Sequence, residues 1–205
     1  MNRVKFTSDI DIDMGDRDRL LSLIRHRAAS IRENKIVRRH NTGIHPTDIP
    51  YDPSVDLAAI DYREAEDRGY LKLDILNVGV YRLVRDEAHL KQLMVEPDWS
   101  ILTDRTVMER MIHINRHYDT MRRMPEPITS IPRMAMFLAL IRPGKRHLIG
   151  KTWQEVGESI WDKDGELYSF KKAHAISYAH LVAVNMNLWT ENPTAFAEPE
   201  LSTDA

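Results

Sequence analysis

The sequence contains no cysteine. A disulfide scaffold, a thiolate zinc site and a cysteine nucleophile are therefore excluded, and a reducing compartment is permitted. Long apolar runs are also missing. A membrane helix needs roughly 18 such residues, and the longest run here, Met134 to Ile141, is far shorter. The opening stretch MNRVKFTSDID has no apolar secretory core, so no signal peptide and no membrane partner are expected. Net charge is small: 29 Lys and Arg against 31 Asp and Glu leave −2 at pH 7. Bulk attraction to long nucleic acid is excluded, and any such contact must use local patches or a partner. There is no internal repeat and no low-complexity tract. What remains is an ordinary globular balance, 42% hydrophobic and 29% charged over 205 residues, with room for one medium domain or two small ones.

Alternation predicts an extended segment from Val4 to Met14, with Asp9, Asp11 and Asp13 on one face and Ile10, Ile12 and Met14 on the other. Asp16 is a helix cap. The spacing of Leu20, Ile24, Ala28 and Ile31 predicts one helix from Arg17 to Arg39, with Arg25, Arg32 and Arg39 at seven-residue intervals on another side. Gly43, Pro46, Pro50 and Pro53 mark a loop over Asn41 to Pro53. A short helix over Asp61 to Arg68 leads to a second candidate strand, Tyr70 to Leu76. Helices are then predicted over Val80 to Val95, Arg105 to Arg123, Arg133 to Ile141, Thr152 to Trp161 and Lys171 to Trp189, with a turn at Asp162 to Gly165. The expected fold class is α+β: a β-containing part over 1–77, a helical part over 78–191 and a polar tail over 192–205.

Asp-x-Asp-x-Asp on a strand is unusual, because aspartate is depleted in strands and like charges on one face repel. A hard divalent cation removes the difficulty, since magnesium takes carboxylate oxygens and bridges substrate phosphates. Asp74 on the second strand is a candidate third ligand. The alternative is an exposed acidic edge strand that resists aggregation. Spacing alone leaves both open.

Five segments occur together. SDIDIDM followed by GDRDRL resembles the Pro-Asp-x-Asp-x-Asp-Phe palm motif of the bacterial replicative DNA polymerase III alpha subunits, the C family. RHNTGIHPTDI, AIDYREAEDRGYLKLDIL, FLALIRPGK and YSFKKAHAISYAHLVAVNMNLW resemble further segments of that family, in its chain order, across roughly Ser8 to Trp189. The resemblance implies a small nucleotidyltransferase-type palm sheet with an abbreviated helical fingers-like region. It implies that Asp11 and Asp13 are the paired metal-binding aspartates and Asp74 the third, around Mg2+ or Mn2+. Asp9 matches the first aspartate of the motif. Lys72, Arg142 and Lys171 or Lys172 become candidates for phosphate or primer contacts. The implied substrates are a DNA primer with its template and nucleoside triphosphates. Other replication proteins become partners, in bacterial or phage-infected cytoplasm.

There are departures. The glycine-serine phosphate motif, the metallophosphoesterase-like domain, the long fingers insert and the clamp-binding modules of the family have no counterpart here. Ser8 and Lys145 stand where the family has prolines. Two functions are therefore carried forward: a minimal or split nucleotidyltransferase of phage type, and a non-catalytic palm-like module that binds DNA or a replisome partner. A structural protein of a virus particle is a third.

Other signals are weaker. Arg25, Arg32 and Arg39 read either as a phosphate-facing stripe or as a solvated helix face. His113 and His117 sit at the spacing of zinc proteases, but Ile114 stands where those enzymes carry glutamate. His40 and His45 suggest structural or phosphate contacts, and His174 with Tyr178 a core pair. Met108, Met111, Met121 and Met124, with Trp153 and Trp161, read as packing residues.

Overall fold

A computed structural model describes residues 10–162 and 170–196. Val4, Phe6, Ser8, Asp9, the 163–165 part of the expected turn and most of the polar tail lie outside the described residues. The fold is mixed α+β with a small mixed sheet. The chain divides into two compact units that part between Arg82 and Leu83.

Unit 1 is built on four strands: β1 (Asp11–Met14), β2 (Arg27–Glu33), β3 (Ile36–His45) and, after the two-residue strands β4 (Tyr51–Asp52) and β5 (Leu57–Ala58), β6 (Leu73–Asn77). Their order is β1-β6-β3-β2. β1 runs parallel to β6, and β6 and β2 both run antiparallel to β3. Ile12 pairs with Ile75, and Ile44 with Leu73. These apolar residues share the face opposite to Asp11, Asp13 and Asp74, and Ile44 and Ile75 are almost wholly buried. Helix α1 (Arg17–Leu23) starts where Asp16 accepts a bond from the Arg19 amide at 3.0 Å. Arg17 fixes it to β6 through its Nε, which donates to the Ile75 carbonyl at 3.0 Å. Helix α2 (Tyr62–Asp67) is capped by Asp61, whose second oxygen accepts from the Arg32 amide at 2.8 Å.

The single helix expected over Arg17 to Arg39 is not formed. α1 ends at Leu23, and residues 27–45 make the β2–β3 hairpin. Glu33 pairs with Ile36, so the loop is Asn34 and Lys35 alone, at φ +50° and +69°. Two central residues in the left-handed region match the twist of a tight hairpin. With lysine in the second place instead of glycine, this turn signal is muted. β-branched Ile31, Ile36 and Val37 then favour the strands. Arg25, Arg32 and Arg39 accordingly form no helical stripe.

Unit 2 contains α3 (Glu87–Leu93), α4 (Arg105–Met108), α5 (Tyr118–Met121), α6 (Ile131–Leu140), α7 (Trp153–Ser159) and α8 (Lys172–Glu191), joined in part by 3₁₀ turns. Its core gathers α6 and α8 around Phe137, Leu138, Met134, Val182 and Met186. Met108, Met111 and Met124 are buried there, Met121 and Trp161 pack against it, and Trp153 is buried with its indole N–H on the Glu126 and Pro127 carbonyls. Seven of the eight residues 181–188 of α8 are buried, so α8 is an inner helix along that stretch and not a two-faced surface one.

Two long helices expected here are broken. Over Val80 to Val95 the chain forms the 3₁₀ turn Gly79–Leu83 and then restarts at Asp86, which caps α3 by accepting from the His89 amide at 2.8 Å. Over Arg105 to Arg123, His113 turns left-handed at φ +64°. The neighbouring Ile112 amide donates not to a helical carbonyl but to Asn185 Oδ1 on α8, at 2.8 Å. A tertiary contact overrides local propensity.

The strained hairpin loop generates a test. Left-handed backbone costs an L-residue about 1 kcal/mol that glycine does not incur. Lys35→Gly is expected to raise the denaturant midpoint of the full chain by an amount equivalent to about 1 kcal/mol.

Candidate active site

The carboxylate face is assembled by strand pairing. Asp11 is the register partner of Asp74, and Asp13 the partner of Leu76. Parallel neighbours about 4.8 Å apart project to the same side, so Asp11, Asp13 and Asp74 share one face although Asp74 is remote in sequence. The side chain of Asp74 is only 13% exposed.

Asp74 is held on both oxygens. Oδ1 accepts from the Thr42 hydroxyl at 2.7 Å. Oδ2 takes a direct ion pair from Lys72, whose side chain is 10% exposed and which also lies 3.5 Å from Glu66. Burial acts to lower the lysine pKa. The hydrogen bond and charge of Asp74, with help from Glu66, outweigh it and leave the ammonium above its usual value.

Thr42 reaches Asp74 because β3 is bulged. The pairing shifts between Ala28↔Ile44 and Ser30↔Arg39, so residues 40–43 bow out of register. Such bulges re-aim side chains. The bow closes on His40, whose Nδ1 accepts from the Gly43 amide at 2.9 Å and the Thr42 amide at 3.4 Å. A nitrogen that accepts two N–H bonds carries no proton, and burial, the first cause, holds the His40 pKa below its ordinary value. The 3.7 Å approach of this nitrogen to Asp74 is therefore not an ion pair. Gly43 is the strand partner of Asp74, and a Cβ there would lie 2.9 Å from His40 Nδ1 and 3.2 Å from Ala29 Cβ. On the β1 side, Tyr81 is raised above its usual pKa by burial and then by the charge of Asp13.

The remaining sequence candidates are dispersed. Arg25 is exposed and paired with Asp48 at 2.7 Å. Arg32 is bound up within the fold, donating to Ser30, Asp52 and the Ala58 carbonyl. Arg39 lies exposed on β3. His45 is buried, with its Nδ1 donating to the Leu71 carbonyl at 2.9 Å. In unit 2, Lys171 precedes α8 and Lys172 lies 5.8 Å over the Trp161 ring. Arg142 stacks on Phe170 at 4.5 Å and has no carboxylate partner among the described residues. Its charge reaches His113 and His117. His113 stacks on Tyr178 at 4.3 Å, while His117 stands at the start of α5, so the two histidines do not share a helical face. Lys145, where the resembled motif has proline, is buried and donates to the Ser159 carbonyl at the C-terminal end of α7, at 2.7 Å. Helix carbonyls there attract a cation.

The aspartate oxygens suit a hard divalent cation in kind, and they occupy one side of two adjacent strands. Among the described residues no three acidic or histidine side chains gather closely enough to hold a metal. Lys72 supplies the positive charge at Asp74. Thr42, the accepting role of His40 and Tyr81 were not singled out from sequence. The one local signal for the first two is their place in RHNTGIHP beside a glycine. Comparisons with protein-family models, with curated proteins and with solved structures return no match.

Gly43→Ala is expected to cost about 1–3 kcal/mol of stability by forcing His40 and the bulge apart, read as a lowered denaturant midpoint. A second expectation concerns pH. Burial, assisted by Arg142, lowers His113 from 6.5 to about 4. A group whose folded pKa is depressed stabilises above its unfolded pKa and loses that contribution as pH falls through the folded value. Stability should therefore decline between pH 6.5 and about 4, and His113→Gln should decline less steeply over that window in urea titrations.

Proposed function

We propose that unit 1 is a palm-like nucleotidyltransferase module. It binds a divalent cation on the Asp11, Asp13 and Asp74 face and adds nucleotides to a DNA 3′ end. The observation that supports this reading is the β1–β6 register, which pairs the Asp-x-Asp strand with Asp74. The ordered set of segments resembling the C-family polymerases supports it further. Asp11 and Asp13 are the ligands proposed for a pair of cations, and Asp74 for the one that would activate the 3′ hydroxyl. Magnesium or manganese, when bound, would supply the charge that activates a 3′ hydroxyl and offsets the leaving pyrophosphate.

The side chains around the carboxylates divide the remaining work. Thr42 orients Asp74 by its 2.7 Å hydrogen bond. Lys72 offsets the negative charge of Asp74. A cation held by Asp74 would compete with that pair, and Lys72 would then be placed to meet a phosphate oxygen. Arg142, Lys171 and Lys172 are the proposed phosphate or primer contacts of unit 2. The proposed partners are a primer–template, nucleoside triphosphates and other replication proteins.

One observation favours a second reading. Because Lys72 already satisfies Asp74 without a cation, unit 1 also suits a non-catalytic module that docks DNA or a larger polymerase through other surfaces.

Primer extension decides between them. The full chain is expected to extend a labelled primer in magnesium or manganese, alone or with its replication partners. Asp11→Asn or Asp74→Asn should reduce the rate by about 10²–10³-fold. DNA binding without extension under any of these conditions, retained in an Asp11→Asn/Asp74→Asn double variant, would overturn the first reading in favour of the second.

A further inference from the structure

The β2–β3 hairpin extends beyond the sheet. From the Ser30–Arg39 pair outward, the two strands pair with no third strand among the described residues; β2 is held at its base by the Ser30–Asp61 bridge and by Arg32 on Asp61, Asp52 and the Ala58 carbonyl. Residues 33–39 are exposed without interruption. Ile36 is 63% exposed at the loop and Val37 38%. Lys35, Arg38 and Arg39 make no ion pair among the described residues, unlike Glu33, which holds Arg63. Register puts Arg38 with Ile31, Glu33 and Ile36 on one side of the ribbon, and Arg39 with Ser30, Arg32 and Val37 on the other. The free cations thus project from the tip and from both sides.

A two-stranded ribbon fits the major groove of B-form DNA, about 12 Å wide. A groove has phosphates on both walls, which matches cations on both sides of the ribbon. An acidic protein surface or an anionic membrane offers charge on one side only. The major groove of A-form RNA is too deep and narrow for side chains to read. We infer that the β2–β3 ribbon seats in a groove of double-stranded DNA, with Lys35, Arg38 and Arg39 on phosphates and Ile36 against base edges. The inference stands on the ribbon alone and does not rest on any chemistry at the carboxylates.

The test measures fluorescence anisotropy of a short labelled DNA duplex with the full chain at several salt concentrations. Each neutralised phosphate adds about 0.9 to the slope of log affinity against log salt. Three contacts account for a loss of about 40-fold between about 50 and about 200 mM. The variant K35Q/R38Q/R39Q is expected to lower the slope by about 2.7 while its thermal unfolding curve overlays that of the parent. Ile36→Ser should weaken duplex binding and leave the slope unchanged. The titrations contain no nucleoside triphosphate and no divalent cation, so failure of nucleotidyl transfer and failure of ribbon binding are read separately. An unchanged slope in the triple variant would overturn the inference. So would equal, variant-sensitive binding to an RNA duplex of the same sequence or to phosphatidylserine vesicles.

Discussion

Two acidic side chains fixed beside each other on one sheet face repel unless a positive charge stands with them, and much of unit 1 is arranged around that requirement. Asp11 faces Asp74 through the parallel pairing of β1 with β6. Lys72, largely withdrawn from solvent, meets Asp74 directly and approaches Glu66. Where a charge is desolvated, removing its partner costs far more than the pair contributes in net terms. Lys72 is therefore as much part of the local architecture as the strands. A metal site and a lysine-neutralised site are two solutions to the same electrostatic problem, and at Asp74 the described residues supply the lysine.

The bulge in β3 links that electrostatics to the apolar side of the sheet. Ile44 and Ile75 anchor the strands below, while one irregular stretch, His40 to Gly43, reaches Asp74 above. A regular β3 would leave Thr42 on the ladder. Unit 2 uses buried polar groups in a comparable way. Asn185 on α8 takes the Ile112 amide, and Lys145 takes the last turn of α7. Asn185 holds a break in helical structure that propensity alone would not place there, and Lys145 holds a helix end. Such bonds are worth more in a low-dielectric interior than at the surface.

The alternation of Asp11 to Met14, the capped helix α2 and the strand carrying Asp74 could be read from the sequence because each depends on neighbours a few residues away. The start of α6 beside Pro132 was local in the same sense. The β2–β3 hairpin was hidden by coincidence: Leu20, Ile24, Ala28 and Ile31 fall at helical spacing, while the turn that overrides it, Asn34-Lys35, lacks the usual glycine. Tyr70 alternates as a strand residue would, but β6 starts only at Leu73 and Tyr70 packs against the small Ala58 and Ala65 cluster. Of the candidate site, the aspartates and Lys72 were visible as a pattern. Thr42 and the accepting nitrogen of His40 were not, since their roles arise from a register shift between strands. Arg32 illustrates the converse: a cation conspicuous in sequence that the fold spends on Asp52 and the Ala58 carbonyl.

The parallel pairing of β1 with β6 also constrains the order in which unit 1 is acquired. Antiparallel β2 and β3 are joined by two residues and meet early, but β1 finds its partner only after a connection of about sixty residues closes. On a ribosome, Asp11 leaves the exit tunnel before Asp74 is synthesised. The strand that bears the paired aspartates is therefore the late arrival. The face it completes comes into being as a whole, once hairpin and β6 are already assembled.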